Sequence, residues 1–326
     1  MDKHEPVLEL DDVSVSYDSP AGAVQAVNHV SMKIYPNTIV GLVGESGSGK
    51  STLANATMHL LKGNAQLTSG TVKVMGKDIY KMTKKELRQF RWNRMSMVFQ
   101  SAMNALNPVL NIEAQMIDTL RSHRKGMSYK EARRRSHELL DLVSIDSKYL
   151  RAYPHELSGG MRQRIVIAIA VALEPDLVIM DEPTTALDVV VQRSILDKIK
   201  VLQKDQKFAI LLISHDFSLV SELCSNVAIM YAGRLIEKAD SETLGSEDSH
   251  HPYTQGLMRA IPKLTAEDVL IEGIPGHPPD LVDLPAGCAY HPRCPFAYED
   301  CLKIRPELHE VRDGLVECHL YEKSGS

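Results

Sequence analysis

The sequence predicts an α/β fold, and three observations carry that prediction. An apolar run, Thr38–Val43, leads at once into Gly44-Glu45-Ser46-Gly47-Ser48-Gly49-Lys50-Ser51 and then into Thr52-Leu53-Ala54-Asn55-Ala56, which has helical composition. A second apolar run, Leu177–Met180, ends in Asp181 and Glu182. A third, Ala209–Ile213, ends in Ser214-His215-Asp216. Short apolar runs separated by helical segments read as buried strands of an α/β sheet, and the C-terminal ends of such strands are where open sheets gather ligands.

The eight residues from Gly44 to Ser51 fit the pattern G-x-x-x-x-G-K-[ST], in the strand–loop–helix setting it requires. The glycines let backbone N–H groups converge on phosphate oxygens, and the helix N-terminus adds its positive end. In this reading Lys50 reaches the β- and γ-phosphates and Ser51 places its hydroxyl on Mg²⁺. A glycine- and serine-rich surface turn is the plain alternative.

The 326 residues suffice for one large domain or two modest ones. Apolar content of 44% and charged content of 24% are those of a soluble globular chain. A net charge of −5 supplies no basic field for nucleic acid. The opening, Met1-Asp2-Lys3-His4-Glu5, has no signal pattern. The longest apolar stretch, Ile165–Leu173, has nine residues, against the roughly 20 needed to span a bilayer. A soluble protein that can sit on a membrane protein is expected. Neither heptads nor internal repeats are visible.

Taken in order, residues 7–17 alternate: Leu8, Leu10, Val13, Val15 and Tyr17 stand among polar residues, the pattern of a half-buried strand. It closes before Asp18-Ser19-Pro20-Ala21-Gly22, which is turn chemistry. A second strand, Val27–Ile34, precedes the glycine loop. After it come Gly70–Val74 and a basic helical stretch, Thr83–Arg94, which Thr83 and Glu86 open as a capping box. Met95–Phe99 reads as a strand ending at Gln100, and Ala102–Pro108 as a loop. Helical periodicity then takes over in Ile112–Arg121 and Ser128–Val143, where Arg133, Arg134 and Arg135 read as a solvated face. Residues of about 101–175 therefore form a helical insertion. Ser158, in Leu157-Ser158-Gly159-Gly160-Met161-Arg162-Gln163, caps a helix running through Leu173. A helix over Val190–Gln203 separates the second and third apolar strands, and Cys224 is assigned to a helix as a small core residue.

Several residues have two local readings. Tyr17, at a strand end before the loop, is either a platform for an adenine ring, worth about 1–3 kcal/mol per stacked base, or a rim tyrosine. Gln100 is either a ligand of Mg²⁺ or of an attacking water, or an ordinary loop residue. Ser158, Gly159 and Gly160 either leave helix N–H groups open to a phosphate or form a plain N-cap. Asp181 supports a Mg²⁺ shell, and Glu182 polarises an attacking water, a general-base contribution of roughly 10²–10⁴-fold. Their alternative, an acid pair capping a helix, is weakened by the intervening Pro183 and Thr184. His215 either bonds a γ-phosphate or is structural.

The ordered set resembles the ATP-binding subunit of ABC transporters. The matching segments are Gly44–Ser51 (Walker A), Gln100 (Q-loop), Leu157–Gln163 (signature), Asp181 and Glu182 (Walker B), Ala186–Asp188 (D-loop) and His215 (switch). One departure is Thr185, where many members carry serine. The resemblance covers residues 7–240. It implies a P-loop ABC ATPase fold: a RecA-like core, an antiparallel β subdomain and a helical insertion. It also implies an ATP sandwich, in which the Walker A loop of one subunit faces Ser158–Gly160 of another, and makes Tyr17, Thr52, Gln100 and His215 ATP-site residues. Leu106-Asn107-Pro108-Val109-Leu110, His251-Pro252-Tyr253-Thr254, Ile274-Pro275-Gly276, Pro278-Pro279 and Gly287-Cys288…His291-Pro292-Arg293-Cys294-Pro295 are similar to the dipeptide/oligopeptide (and nickel) importer branch. Two membrane permease subunits, a second ATPase subunit or a second copy of this chain, an extracytoplasmic solute-binding protein acting indirectly, a seat on the cytoplasmic face of the membrane and no nucleic acid are what this implies. Nickel or another small solute, a non-transport ABC ATPase, and a sensing module run by its cysteines stay open as alternatives.

Residues 241–326 read as a second unit, a small cysteine-rich extension after the nucleotide-binding domain of residues 1–240. Cys288, Cys294, Cys301 and Cys318 follow a C-x5-C-x6-C-x16-C spacing. Structural disulfides do not suit a cytosolic chain, and four thiolates in one short segment suit an iron–sulfur cluster or Zn²⁺, with reduced thiols as the third reading. The importer resemblance points to [4Fe–4S].

Overall fold

A computed structural model describes residues 5–100, 105–184, 188–245, 249–260, 273–311 and 314–322. The chain opens with two strands, β1 (Leu8–Ser19) and β2 (Gly22–Ile34). Strand β3 (Ile39–Val43) is buried at every residue and feeds the glycine loop into helix α1 (Lys50–Thr57). Strands β4 (Ala65–Val74) and β5 (Lys77–Asp78) follow, then α2 (Lys84–Phe90) and β6 (Met95–Val98). Three helices come next: α3 (Ile112–His123), α4 (Tyr129–Leu142) and α5 (Gly159–Ala170). The run β7 (Leu177–Asp181), α6 (Val189–Gln206), β8 (Ala209–Ser214), α7 (Phe217–Leu223), β9 (Asn226–Tyr231) alternates strand and helix. Strand β10 (Arg234–Asp240), helix α8 (Pro252–Arg259), helix α9 (Glu299–Lys303) and the pair β11 (Leu308–Val311) and β12 (Gly314–Glu317) complete the described elements.

Two compact units emerge. One holds the described residues of Met1–Leu8, Ile34–Thr38 and Lys73–Leu211; the other holds those of Glu9–Lys33, Ile39–Val72 and Leu212–Ser326. These units interleave along the chain, so residue 240 is not one of their boundaries, and the segment after it shares a unit with the glycine loop.

In the first unit, β6 and β7 pair in parallel from Met95↔Leu177 to Val98↔Met180, so their C-terminal ends lie side by side. Both strands are buried throughout, as parallel strands covered on both faces are. The Thr83–Glu86 capping box forms as the sequence foretells. Its helix stops at Phe90 rather than Arg94, because Arg91 is extended and Trp92 takes φ +68. Helix α5 likewise stops at Ala170, since Val171 leaves helical geometry at ψ 2. The arginine face of α4 is only partly solvated: Arg133 pairs with Glu113 at 2.8 Å, and Arg135, 17% exposed, reaches Glu174 at 2.8 Å.

In the second unit the strands run β11-β12-β10-β9-β3, with β3 and β9 parallel and the others antiparallel. Helix α7 crosses β3 at Gly41, where a Cβ would lie 2.0 Å from Val220. Cys224, 3% exposed, is the residue that ends α7. Strand β12 pairs with β10 through Glu237↔Val316, and Arg234 grips Glu317 in a two-pronged ion pair, Nε–Oε1 and Nη2–Oε2 both 2.7 Å. Glu237 accepts from the His251 N–H at 2.8 Å and sits 2.5 Å from His250 Nδ1, all three being buried. The C-terminal segment is thus hydrogen-bonded onto β10.

Removing one partner of a buried ion pair strands the other. Glu317→Ala is expected to cost about 3–5 kcal/mol in urea unfolding and to open residues 308–322 to limited proteolysis, while Arg234→Met with Glu317→Leu recovers most of the loss.

Candidate functional site

The glycine loop is shaped by two close approaches. A Cβ on Gly44 (φ +154) would lie 2.2 Å from the Met230 carbonyl, and one on Gly49 (φ +100) would lie 2.1 Å from the Ala26 carbonyl. Only glycine fits at either position, in space and in backbone conformation. Ser46 and Gly47 are exposed at the loop tip, while Ser48 and Lys50 are buried. The Lys50 ammonium donates to the carbonyls of Gly44 (2.7 Å) and Glu45 (2.8 Å) and to Ser48 Oγ (3.2 Å). Gly49 is the N-cap of α1, and no side chain caps that helix start. A helix N-terminus of this kind is where backbone N–H groups can bind an anion. Ser51 sits exposed in the first turn, and Tyr17 shares a 3.0 Å hydrogen bond with Thr52 of that turn. Tyr17 is thus brought to the loop. In the same unit His215 is exposed at the end of β8, followed by Asp216, which caps α7 through the Leu219 N–H at 3.0 Å.

In the first unit the parallel pairing of β6 and β7 sets Gln100 and Glu182 two residues beyond the pair Val98↔Met180. Gln100 Nε2 donates to Glu182 Oε2 at 2.8 Å. Asp181 closes β7 and is 5% exposed. Glu182 has φ +47, a left-handed conformation that costs a non-glycine residue energy and clusters at working sites. Ser158 Oγ accepts from the Met161 N–H at 3.3 Å, so the predicted N-cap of α5 forms. Gly160 faces α6 closely, a Cβ there meeting Val191 at 2.9 Å. Ala102–Asn104 and Thr185–Leu187, with the D-loop residues Ala186 and Leu187, lie outside the described residues.

The four C-terminal cysteines draw together. The Cys288 N–H donates to the Cys301 carbonyl at 2.9 Å, an approach Gly287 permits at φ +69. Burial pushes the Cys288 thiol up to about 11 and the Cys318 thiol up to about 12, with Cys294 and Cys301 adding to each. All four are free thiols. Among the described residues no group of three or more His, Cys, Asp or Glu is placed to hold a metal ion, so the structure does not bring the four cysteines into a metal site. Two residues beside the loop were read only as family marks: Tyr253 and Arg293, which both bond Glu45. No local pattern could have assigned them, since their partner lies more than 200 residues away.

Residues 27–185 match the family described as ABC transporter, and residues 236–301 match the family described as oligopeptide/dipeptide transporter, C-terminal region. The chain is 37% identical to the dipeptide transport ATP-binding protein DppD of Caldanaerobacter subterraneus, over 97% of this chain and 98% of that protein. It is 41% identical to the oligopeptide transport ATP-binding protein OppD of Escherichia coli, over 94% and 91%. Identity to OppD of Mycobacterium tuberculosis is 43% over 94% of this chain, which spans half the length of that relative. Among solved structures, a dimeric post-hydrolysis state of the ATP-binding cassette MJ0796 bound to ADP and Pi aligns with a TM-score of 0.64 and 27% identity, covering 72% of this chain and 98% of the cassette.

Gly49→Ala forces either the Ala26 carbonyl or the loop to move. The variant is expected to lose about 1–3 kcal/mol of stability and to bind Mg-ATP at least about tenfold more weakly by calorimetry; wild-type affinity would overturn the steric account.

Proposed function

The chain belongs to the ATP-binding subunits of ABC transporters, in the oligopeptide/dipeptide branch, and from that premise we propose that it hydrolyses Mg-ATP to power uptake of peptides through membrane permease partners. The observation that carries the reading is Glu182, strained at φ +47 just past a buried strand and holding Gln100 at 2.8 Å. The amide orients the carboxylate, and a positioned carboxylate is the kind of group that serves as general base.

The roles follow residue by residue. Lys50 and the N–H groups at the start of α1 bind the β- and γ-phosphates, Tyr17 stacks on the adenine, and the remaining residues of Gly44–Thr52 shape the cradle. The hydroxyl of Ser51 and the side chain of Gln100 would hold Mg²⁺, and Asp181 would support its shell. The metal supplies charge neutralisation of the phosphates. Glu182 takes the proton of the attacking water, a contribution of about 10²–10⁴-fold. His215 bonds the γ-phosphate and reports its loss. Ser158, Gly159 and Gly160 complete the ATP site of a second subunit, identical or paired. Closure of that pair moves the helical insertion and the Gln100 loop against the permeases, with the γ-phosphate as the contact that differs between states. In this reading residues 1–240 hydrolyse ATP and residues 241–326 are an importer-type extension. The chain sits on the cytoplasmic face of the membrane, a solute-binding protein delivers peptide from outside, and nucleic acid has no part.

What supports a thiolate-held cluster at the C-terminal end is the spacing of its four cysteines and the importer resemblance. Burial and neighbouring thiols raise the Cys288 and Cys318 thiols, and a bound cationic centre would relieve them by taking the thiolate form. We assign Cys288, Cys294, Cys301 and Cys318 to a [4Fe–4S] cluster, with Zn²⁺ as the alternative, in a structural role.

Tagged Glu182→Gln recovered from native membranes with Mg-ATP is expected to retain nucleotide and to bring two multispanning permeases with it. Hydrolysis near the wild-type rate sinks the base assignment, and capture of ribosomal or nucleic-acid proteins without a permease sinks transport. Anaerobic purification is expected to yield iron and acid-labile sulfide, both lost in Cys318→Ser; zinc without iron would overturn the cluster.

A further inference from the structure

Glu45, the second residue of the phosphate loop, is held at both ends by residues from the far end of the chain. Its backbone N–H donates to the Tyr253 hydroxyl at 2.9 Å. Its carboxylate accepts both arms of Arg293, Nη1 to Oε2 at 2.7 Å and Nη2 to Oε1 at 3.0 Å. The Arg293 side chain is 5% exposed and that of Glu45 27%, so a buried cation faces a partly open acid. The guanidinium is itself fixed. Its Nε donates to the Pro275 carbonyl at 2.8 Å, and the rings of Tyr231 and Tyr290 lie 5.8 and 5.9 Å from it. Hydrogen bonding to Glu45 is the chief cause that raises the Arg293 pKa above its ordinary value. A two-pronged guanidinium–carboxylate bond fixes direction as well as distance, which a lysine in its place does not.

The position of Glu45 matters to the loop in two ways. Its carbonyl is one of the acceptors that seat Lys50, and it also accepts the Ser48 N–H at 3.2 Å. Moving Glu45 therefore moves the anchor of Lys50. Its carboxylate is also a negative charge in a loop that binds polyphosphate, and an uncompensated like charge at such a site opposes binding.

We propose that Arg293 is a positioning residue of the ATP site: by cancelling and pinning Glu45 it sets the affinity of the phosphate loop for nucleotide, and so ties that affinity to the C-terminal segment. The proposal rests on the reading of Gly44–Ser51 as the ATP-binding loop. Arg293 immediately precedes Cys294, so the stretch that carries the thiols also carries this clamp.

The test is calorimetric titration of the full chain with Mg-ATP, alongside melting curves, for wild type, Arg293→Gln, Arg293→Lys and the double variant Glu45→Gln/Arg293→Gln. Arg293→Gln is expected to bind about tenfold more weakly and Arg293→Lys about threefold, while the double variant returns to within about threefold of wild type because the uncompensated carboxylate is gone. A purely architectural role does not give that recovery, since the double variant removes the same charged bonds. Unchanged affinity in Arg293→Gln overturns the proposal, as does a double variant no tighter than the single one. Should Arg293→Gln fail to fold, Arg293→Lys and the double variant decide, and wild-type affinity in Arg293→Lys overturns it. Lys50→Ala separates the two levels. If it binds Mg-ATP as wild type does, the ATP-site reading itself fails. If Lys50→Ala loses binding while Arg293→Gln keeps it, only the clamp fails.

Discussion

The phosphate loop threads between two backbone carbonyls, and the surrounding architecture answers to that passage. The Ala26 carbonyl of β2 and the Met230 carbonyl of β9 leave no room for a side chain at Gly49 and Gly44. Strand β9 is the parallel neighbour of β3, in register from Val40↔Asn226 to Val43↔Ile229, and this brings Met230 to the mouth of the loop. Asn28 of β2 donates to Gly233, at the turn between β9 and β10, at 2.8 Å, which brings Ala26 to the other side. Glycine turns these contacts into a tight loop because it accepts positive φ without strain. The loop can keep this path only while both strands stay where they are.

Ion pairs and buried hydrogen bonds attach the C-terminal segment to this frame. Arg234 with Glu317, Glu237 with His250 and His251, and Glu45 with Arg293 are all buried or nearly so, and two of the three anchors lie on β10. Burying a charge removes its hydration, and the pair recovers that only with close geometry and full hydrogen bonding. Such pairs add little net stability compared with an apolar core. They do penalise every other arrangement, because a shifted register would strand a charge out of water. The segment is therefore held in one placement against the unit that contains the loop. The aromatic cluster of Tyr231, Tyr253 and Tyr290 fills the space around Arg293, with ring centroids 4.7 to 5.5 Å apart.

Much of the catalytic framework was legible in the chain. Strands β3, β7 and β8 announce themselves as short apolar runs because parallel strands buried on both faces need apolar side chains at every position. The Thr83–Glu86 box and the Ser158 cap were legible because capping chemistry is local, settled within four residues. Helix ends were less so: the stop at Phe90 depends on Trp92 at φ +68, and nothing in the run Thr83–Arg94 requires it. Strands β9 to β12 went unassigned. Strand β10 buries Glu237 beside hydrophobic residues, so its pattern alternates neither as a half-buried strand nor as an apolar run.

The sequence by itself determined the glycine-loop pattern between a strand and a helix, the Gln100, Glu182 and His215 positions just past strand ends, and the spacing of the four cysteines. Each of these is a pattern within one local stretch, where residue type and spacing decide what the backbone and side chains can do. Only the tertiary structure decided that Gln100 bonds Glu182, that Tyr17 reaches Thr52, and that Arg293 and Tyr253 hold Glu45. Those contacts join residues 35 to 248 positions apart. Strand pairing and burial bring such partners together, and a hydrogen bond or ion pair then forms because a polar group out of water needs a partner, wherever in the chain that partner lies.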